Sequence, residues 1–130
     1  MDAEQPYTTK PSPWSVEETA ERLTTLIAAR GMTLFATIDQ RAAARDAGLE
    51  LRDTVLLLFG NPAAGTPVME AAPLAALDLP LKLLVWDDEG QTQVSYVTPA
   101  ELAARHHLSP ALAAPLAGID GLTDIGLSPP

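Results

Sequence analysis

The order of local signals along this chain predicts an α+β fold, a two-layer sandwich with an antiparallel sheet packed against helices. Three observations carry that reading. Helical and extended patterns alternate through the first half of the chain. The two clearest extended runs, 80–87 and 91–97, flank Asp88-Glu89-Gly90 and so form a β-hairpin, whose strands are antiparallel. The run TVLLLF, 54–59, is apolar on both of its faces, which marks a central strand covered on both sides or covered by a partner chain on its second face. The hairpin excludes a doubly wound nucleotide fold.

Each element has a local cause. The polar segment PYTTKPS is extended and can supply an edge strand. Ser15 to Glu18 reads as a capping box, with the Ser15 hydroxyl accepting from the Glu18 backbone and Glu18 reaching back. Val16, Ala20, Leu23, Leu26 and Ile27 then share one helical face, and Gly31 ends the helix in the left-handed conformation, giving a helix over 16–30. TLFATI, 33–38, is a short run of strand formers. Asp39 caps an Ala-rich helix that runs until Gly48. After strand 54–59, the Gly60-Asn61-Pro62 break precedes a short helix beginning at Thr66-Pro67 and lasting to Ala72. Thr98-Pro99-Ala100-Glu101 is a second capping box, for a helix to His106. Ser109-Pro110 starts another helix that Pro115 and Gly118 cut short. The expected organisation is a flexible segment 1–6, one domain over 7–120, and a loose tail over 121–130 rich in Gly, Ser and Pro.

Composition narrows function more than it defines it. The chain has 130 residues, of which 47% are hydrophobic, so it can bury a core of its own. It has no cysteine, which removes disulfides, thiolate metal sites and thiol nucleophiles together. Its net charge of −9 repels nucleic acid and anionic membranes, so neither is an expected partner. No run reaches the roughly 20 apolar residues of a membrane helix. The N-terminal segment has no apolar core of a signal peptide, and the expected location is the cytoplasm.

Ile38-Asp39 before the Ala-rich helix, Leu49-Glu50-Leu51-Arg52 after it, Phe59-Gly60-Asn61-Pro62, Gly65-Thr66 and Leu77-Asp78-Leu79-Pro80 form a combination. With the hairpin and the helix at Pro99, it resembles the bacterial family known as domain of unknown function 302 over residues 7–120. The resemblance implies a compact α+β domain similar to the TATA-binding-protein-like arrangement, often homodimeric, with no established activity. Family members often carry Asp-His where this chain has Asp39-Gln40. Gln neither titrates nor ligates metals well, so any proton-transfer or metal role of that pair is lost or altered here.

The candidate ligand-binding residues are Asp39, Gln40, Gly60, Asn61, Asp78, Trp86 and Tyr96. The Gly60-Asn61-Pro62 loop could cradle an anion with backbone N–H groups. It lacks the P-loop lysine and the G-x-G-x-x-G pattern, and a shaped turn explains the same residues. Asp39 reads as a helix cap or as a general base. Asp78 sits among apolar residues in ALDLPL and needs partners. His106 and His107 are neighbours, which point apart on a helix, so no metal is expected. No serine stands in a nucleophile elbow. Trp86 and Tyr96, on the two hairpin arms, can stack across strands or floor a pocket or dimer face with Phe35, Phe59 and Met69. The sequence thus predicts no cofactor, and a homodimeric module that binds a small ligand or a protein. The alternative is an enzyme whose carboxylate acid/base, Asp39 or Asp78, shares a cleft with the Gly60-Asn61-Pro62 loop and is raised in pKa.

Overall fold

The computed structural model describes residues 5–129. Of the segment expected to be flexible, residues 1–4 lie outside that range. The elements are β1 (Tyr7–Pro11), α1 (Val16–Ala29), β2 (Thr33–Asp39), α2 (Gln40–Asp46), β3 (Thr54–Gly60), α3 (Pro62–Ala71), β4 (Leu81–Asp88), β5 (Gln91–Val97), α4 (Pro99–His106), α5 (Pro110–Ala113) and α6 (Gly118–Gly126). Single 3₁₀ segments lie at Pro73–Leu77 and Ala114–Ala117.

The five strands form one sheet in the order β1-β5-β4-β3-β2, and every neighbouring pair is antiparallel. The α+β architecture read from the sequence is the one observed. The polar N-terminal segment is the edge strand β1, paired with β5 from Tyr7 opposite Val97 to Pro11 opposite Gln93. Asp88 ends β4 opposite Gln91, so the hairpin turn is Glu89-Gly90, both at positive φ, with the Gly90 N–H donating to Asp87 Oδ1 at 3.1 Å.

Strand periodicity divides the sheet into two unlike faces. Val55, Leu57 and Phe59 of β3, Leu83 and Val85 of β4, and Val94 and Tyr96 of β5 are buried on one face. They meet Val16, Leu23 and Ile27 of α1 and Ile119 and Leu122 of α6 in a single core. The alternate residues, Leu56, Leu58, Leu84 and Trp86, are only half-buried, and Ile38 beside Leu56 is exposed.

The helix caps behave as polar chemistry requires, with one difference. Ser15 Oγ accepts from the Glu18 N–H at 3.1 Å, and Thr98 Oγ1 accepts from the Glu101 N–H at 3.0 Å. Neither glutamate returns the bond. Glu18 pairs with Arg22 and Glu101 with Arg105, each one helical turn on, because those cations offer a charge-assisted partner.

The loose tail expected over 121–130 is corrected by α6, which buries Ile119, Leu122 and Thr123, with Leu127 following them into the core. Pro130 lies outside the described residues. One of the glycines that suggested a tail, Gly126, has another use. A Cβ at Gly126 would meet Leu23 Cδ2 at 2.8 Å, so glycine lets α6 lie close on α1. A polar tie adds to the packing. Lys10 of β1 donates to Asp124 Oδ1 at 2.8 Å and to Thr123 Oγ1 at 2.7 Å, while the Tyr96 hydroxyl donates to Asp120.

Candidate functional site

The break after β3 is the first turn of α3, which starts at Pro62, five residues before the Pro67 that the sequence pattern indicated. Asn61 is its N-cap, with Oδ1 accepting from the Ala63 N–H at 3.0 Å, and Pro62 occupies the first helical position, where its missing N–H costs nothing. The N–H groups of Ala64 and Gly65 both donate to the Asn61 carbonyl at 2.9 Å. The donors of this first turn are therefore engaged, and the anion cradle considered for Gly60-Asn61-Pro62 is not formed. The Asn61 side-chain NH2 makes no hydrogen bond among the described residues.

This turn borders an apolar cavity of about 280 Å³. Met32 and Phe35 line it from the β2 side, Asn61 and Met69 from the start and middle of α3, and Leu79 and Leu81 from the chain entering β4. Pro115 and Leu116 close the remaining side. No charged side chain lines it. Phe35 stands where the β2–β3 register shifts between Leu34 and Ala36, and it is 53% exposed at the rim. Sequence reasoning found Gly60, Asn61, Phe35 and Met69 as candidates, and missed Met32, Leu79 and Leu81.

The other candidates lie elsewhere. Asp39 is the exposed cap of α2, accepting from the Ala42 N–H at 2.9 Å. With Glu17, Glu21, Arg41, Arg45 and Asp53 it borders a separate polar cleft of about 420 Å³, of which Gln40 is not part. Asp78 bonds Arg105 at 3.2 Å and His106 Nε2 at 2.6 Å. The hydrogen bond from His106 holds the Asp78 carboxyl below its ordinary value, with the Arg105 charge adding to it and burial opposing. The enzyme alternative required a carboxylate, Asp39 or Asp78, that shares a cleft with Asn61 and is raised in pKa. The three residues face different cavities and Asp78 is lowered, so that constellation is not present.

Trp86 and Tyr96 do not stack, because they project from opposite faces of the sheet. Trp86 is opposite Gln93 on the half-buried face, and its indole N–H donates to Ser95 Oγ at 3.0 Å. Tyr96 is buried in the core. Burial raises its hydroxyl above the ordinary value, and the bond to Asp120 adds to this. Burial acts to lower the Lys10 ammonium, but its bonds to Asp124 and Tyr96 prevail and raise it. Neither Tyr96 nor Lys10 borders the apolar cavity. Among the described residues no group of three or more His, Cys, Asp or Glu could hold a metal, and no helix is long and apolar enough to cross a membrane.

Comparison with known proteins adds the following. The profile described as "Domain of unknown function DUF302" matches residues 8–124. The crystal structure of an uncharacterized conserved DUF302 protein from Bacillus stearothermophilus superposes with a TM-score of 0.81 at 24% identity, covering 95% of this chain and 97% of that one. That likeness establishes the fold. The fluoride-specific ion channel FluC 1 of Brucella suis biovar 1 (strain 1330) is 42% identical over 95 residues, which are 72% of this chain and 37% of that protein. The FluC 1 of Brucella abortus biovar 1 (strain 9-941) matches equally over 35% of its length. The chain thus spans about a third of the length of these curated relatives.

Proposed function

The chain belongs to the DUF302 family, and from that premise we propose that it is a non-enzymatic, cytoplasmic binding module that pairs with a second copy of itself and takes a small ligand in the cavity beside Asn61. The half-buried sheet face carries the first part of this reading. Leu56, Leu58, Leu84 and Trp86 lie side by side on it, next to exposed Ile38, in a chain whose net charge is −9. The patch is mainly apolar, with Lys82 beside it opposite Leu58, and a two-fold pairing brings the same patch of each copy together. A five-stranded face is on the order of 20 Å on a side. Its area is within a factor of about two of the 800 Å² per partner typical of stable interfaces.

Sedimentation equilibrium at micromolar concentration tests the pairing. The expected mass is that of a dimer, and Leu84→Glu, on the same face, is expected to yield a monomer that still unfolds cooperatively. A parent chain that is monomeric at those concentrations removes the reading.

A second reading rests on the curated relatives, which are named as fluoride channels and are about twice as long as this chain. In it, the module accompanies a membrane protein of that kind, and the apolar face seats that partner. Co-expression with the part of the Brucella suis protein outside the match would bring the chain into the membrane fraction. Its staying in the supernatant would dismiss the partnership.

A further inference from the structure

We propose that the cavity beside Asn61 is a site for an uncharged, compact apolar molecule, an aromatic bicycle or a short acyl group bearing one acceptor oxygen. This rests on the reading of that cavity as a ligand site and adds the chemical class of what enters it.

Four features set the class. First, size. At about 280 Å³ the cavity lies at the lower edge of the roughly 300–1,000 Å³ usual for small-molecule sites, which excludes nucleotides and large cofactors. Second, charge. The chain has 25 charged residues apart from histidine, yet none of them lines this cavity. An ion entering it would lose hydration with no counter-charge in return. The helix start that would ordinarily attract an anion is already closed, since the Ala63, Ala64 and Gly65 N–H groups bond to Asn61 itself.

Third, the lining. Met32 and Met69 contribute flexible, polarizable side chains on different walls, and Phe35 contributes an aromatic ring at the rim. Thioethers near a ring-shaped guest make favourable sulfur–aromatic contacts and adjust to its outline. Fourth, polarity. Asn61 offers one side-chain NH2, whose carbonyl is fixed by the Ala63 N–H, so the donor is oriented before any guest arrives. Asn61 is exposed, so this donor stands at the mouth of the cavity, where a guest with one acceptor oxygen can meet it. Gly65 faces the same space. A Cβ there would stand 3.9 Å from Met69 Cε and 4.0 Å from Leu79 Cδ1, so a larger side chain would grow into the cavity without striking backbone.

The test uses the intact chain labelled with ¹³C at its methionine methyls. Three probes that share the naphthalene ring are titrated, namely neutral 2-naphthol, anionic 2-naphthoate and cationic 2-naphthylmethylammonium. 2-Naphthol is expected to move the Met32 and Met69 resonances together and to bind at least tenfold more tightly than either ion. Gly65→Leu is expected to weaken it at least tenfold. Asn61→Asp keeps a strong helix cap while replacing the donor by a negative charge, and is expected to weaken it severalfold with the methyl spectrum otherwise intact. Equal or tighter binding of either ion overturns the class while leaving the ligand site in place. Methyls that ignore all three probes, yet shift in Gly65→Leu, overturn the site itself. Shifts produced by dilution alone, with probe binding only to the diluted protein, would mean that a second copy fills the cavity and would overturn the ligand proposal.

Discussion

The two faces of the sheet are made from the same strands and from similar residues, yet they differ in what closes them. Leu57 and Leu83 sit opposite one another on the helix-covered face and are fully buried. Leu56 and Leu84, one residue away on each strand, are opposite one another on the other face and are half-buried. The polar bonds follow the same division. On the covered side they run between layers, from Lys10 and Tyr96 of the sheet to Asp124 and Asp120 of α6. On the other face they stay within the sheet, where Ser95 accepts from Trp86 and bonds Thr9. An apolar pattern therefore does not say by itself which side is the core of a single chain. The side that cross-layer bonds also reach is the core.

The largest effect should separate the faces directly. Leu57→Ala is expected to cost about 2–5 kcal/mol in urea unfolding, because it opens a cavity in a closed core. Leu56→Ala should cost about 1 kcal/mol at the lowest usable protein concentration, since its side chain is only half removed from water. That cost should grow with concentration if a second copy covers the face, because the dimer then contributes to stability by mass action. Equal costs for the two substitutions in the monomer would erase the distinction between the faces.

A smaller effect probes how the covered side is closed. At Gly126→Ala the new methyl meets Leu23, which is fully buried and has little room to yield, so a loss of about 1–3 kcal/mol is expected. At Gly121→Ala, in the same helix, a Cβ meets nothing within 4 Å. That change should stabilise by about 0.5–1 kcal/mol through helix propensity. Opposite signs of the shift in melting temperature identify a docked helix. Two changes near zero would restore the loose tail.

Much of the fold was legible because its causes are local. Ser15, Thr98 and Ser109 each accept from the N–H three residues on, and Gly31 takes positive φ just past α1. Helix α6 was not legible, because Gly118, Gly121 and Gly126 carry low helix propensity, and only the last of them is explained by contact with α1. The same limit applies to the site. The turn at Asn61 could be read from adjacent residues. The walls at Met32 and Leu79 come from remote segments, which only the sheet order brings together. Asp78 was correctly read as needing partners, but His106 lies 28 residues away and no local pattern connects them.

The smallest predicted effect concerns that pair and asks whether the covered side is also held at its rim. Asp78, between the Pro73–Leu77 turn and β4, bonds Arg105 and His106 at the end of α4. Its carboxyl is held below the ordinary value of 3.8, chiefly by the His106 bond. A carboxyl depressed in the folded state contributes stability that is fully present above its unfolded value and is lost as pH falls through its folded value. The contribution of this tie should therefore be constant above about pH 4 to 5 and disappear in more acidic solution, below the ordinary 3.8. Asp78→Asn should cost no more than about 1 kcal/mol at neutral pH, because Arg105 is exposed and its part is screened. It should also flatten the acid limb of the stability curve. Lys82→Met, on the open face, removes a cation with no ion-pair partner among the described residues and should leave that limb unchanged. If Asp78→Asn leaves the acid limb as steep as before, the tie is not what holds α4 to the segment before β4. The covered side would then be closed by its apolar contacts and by the Lys10 and Tyr96 bonds to α6.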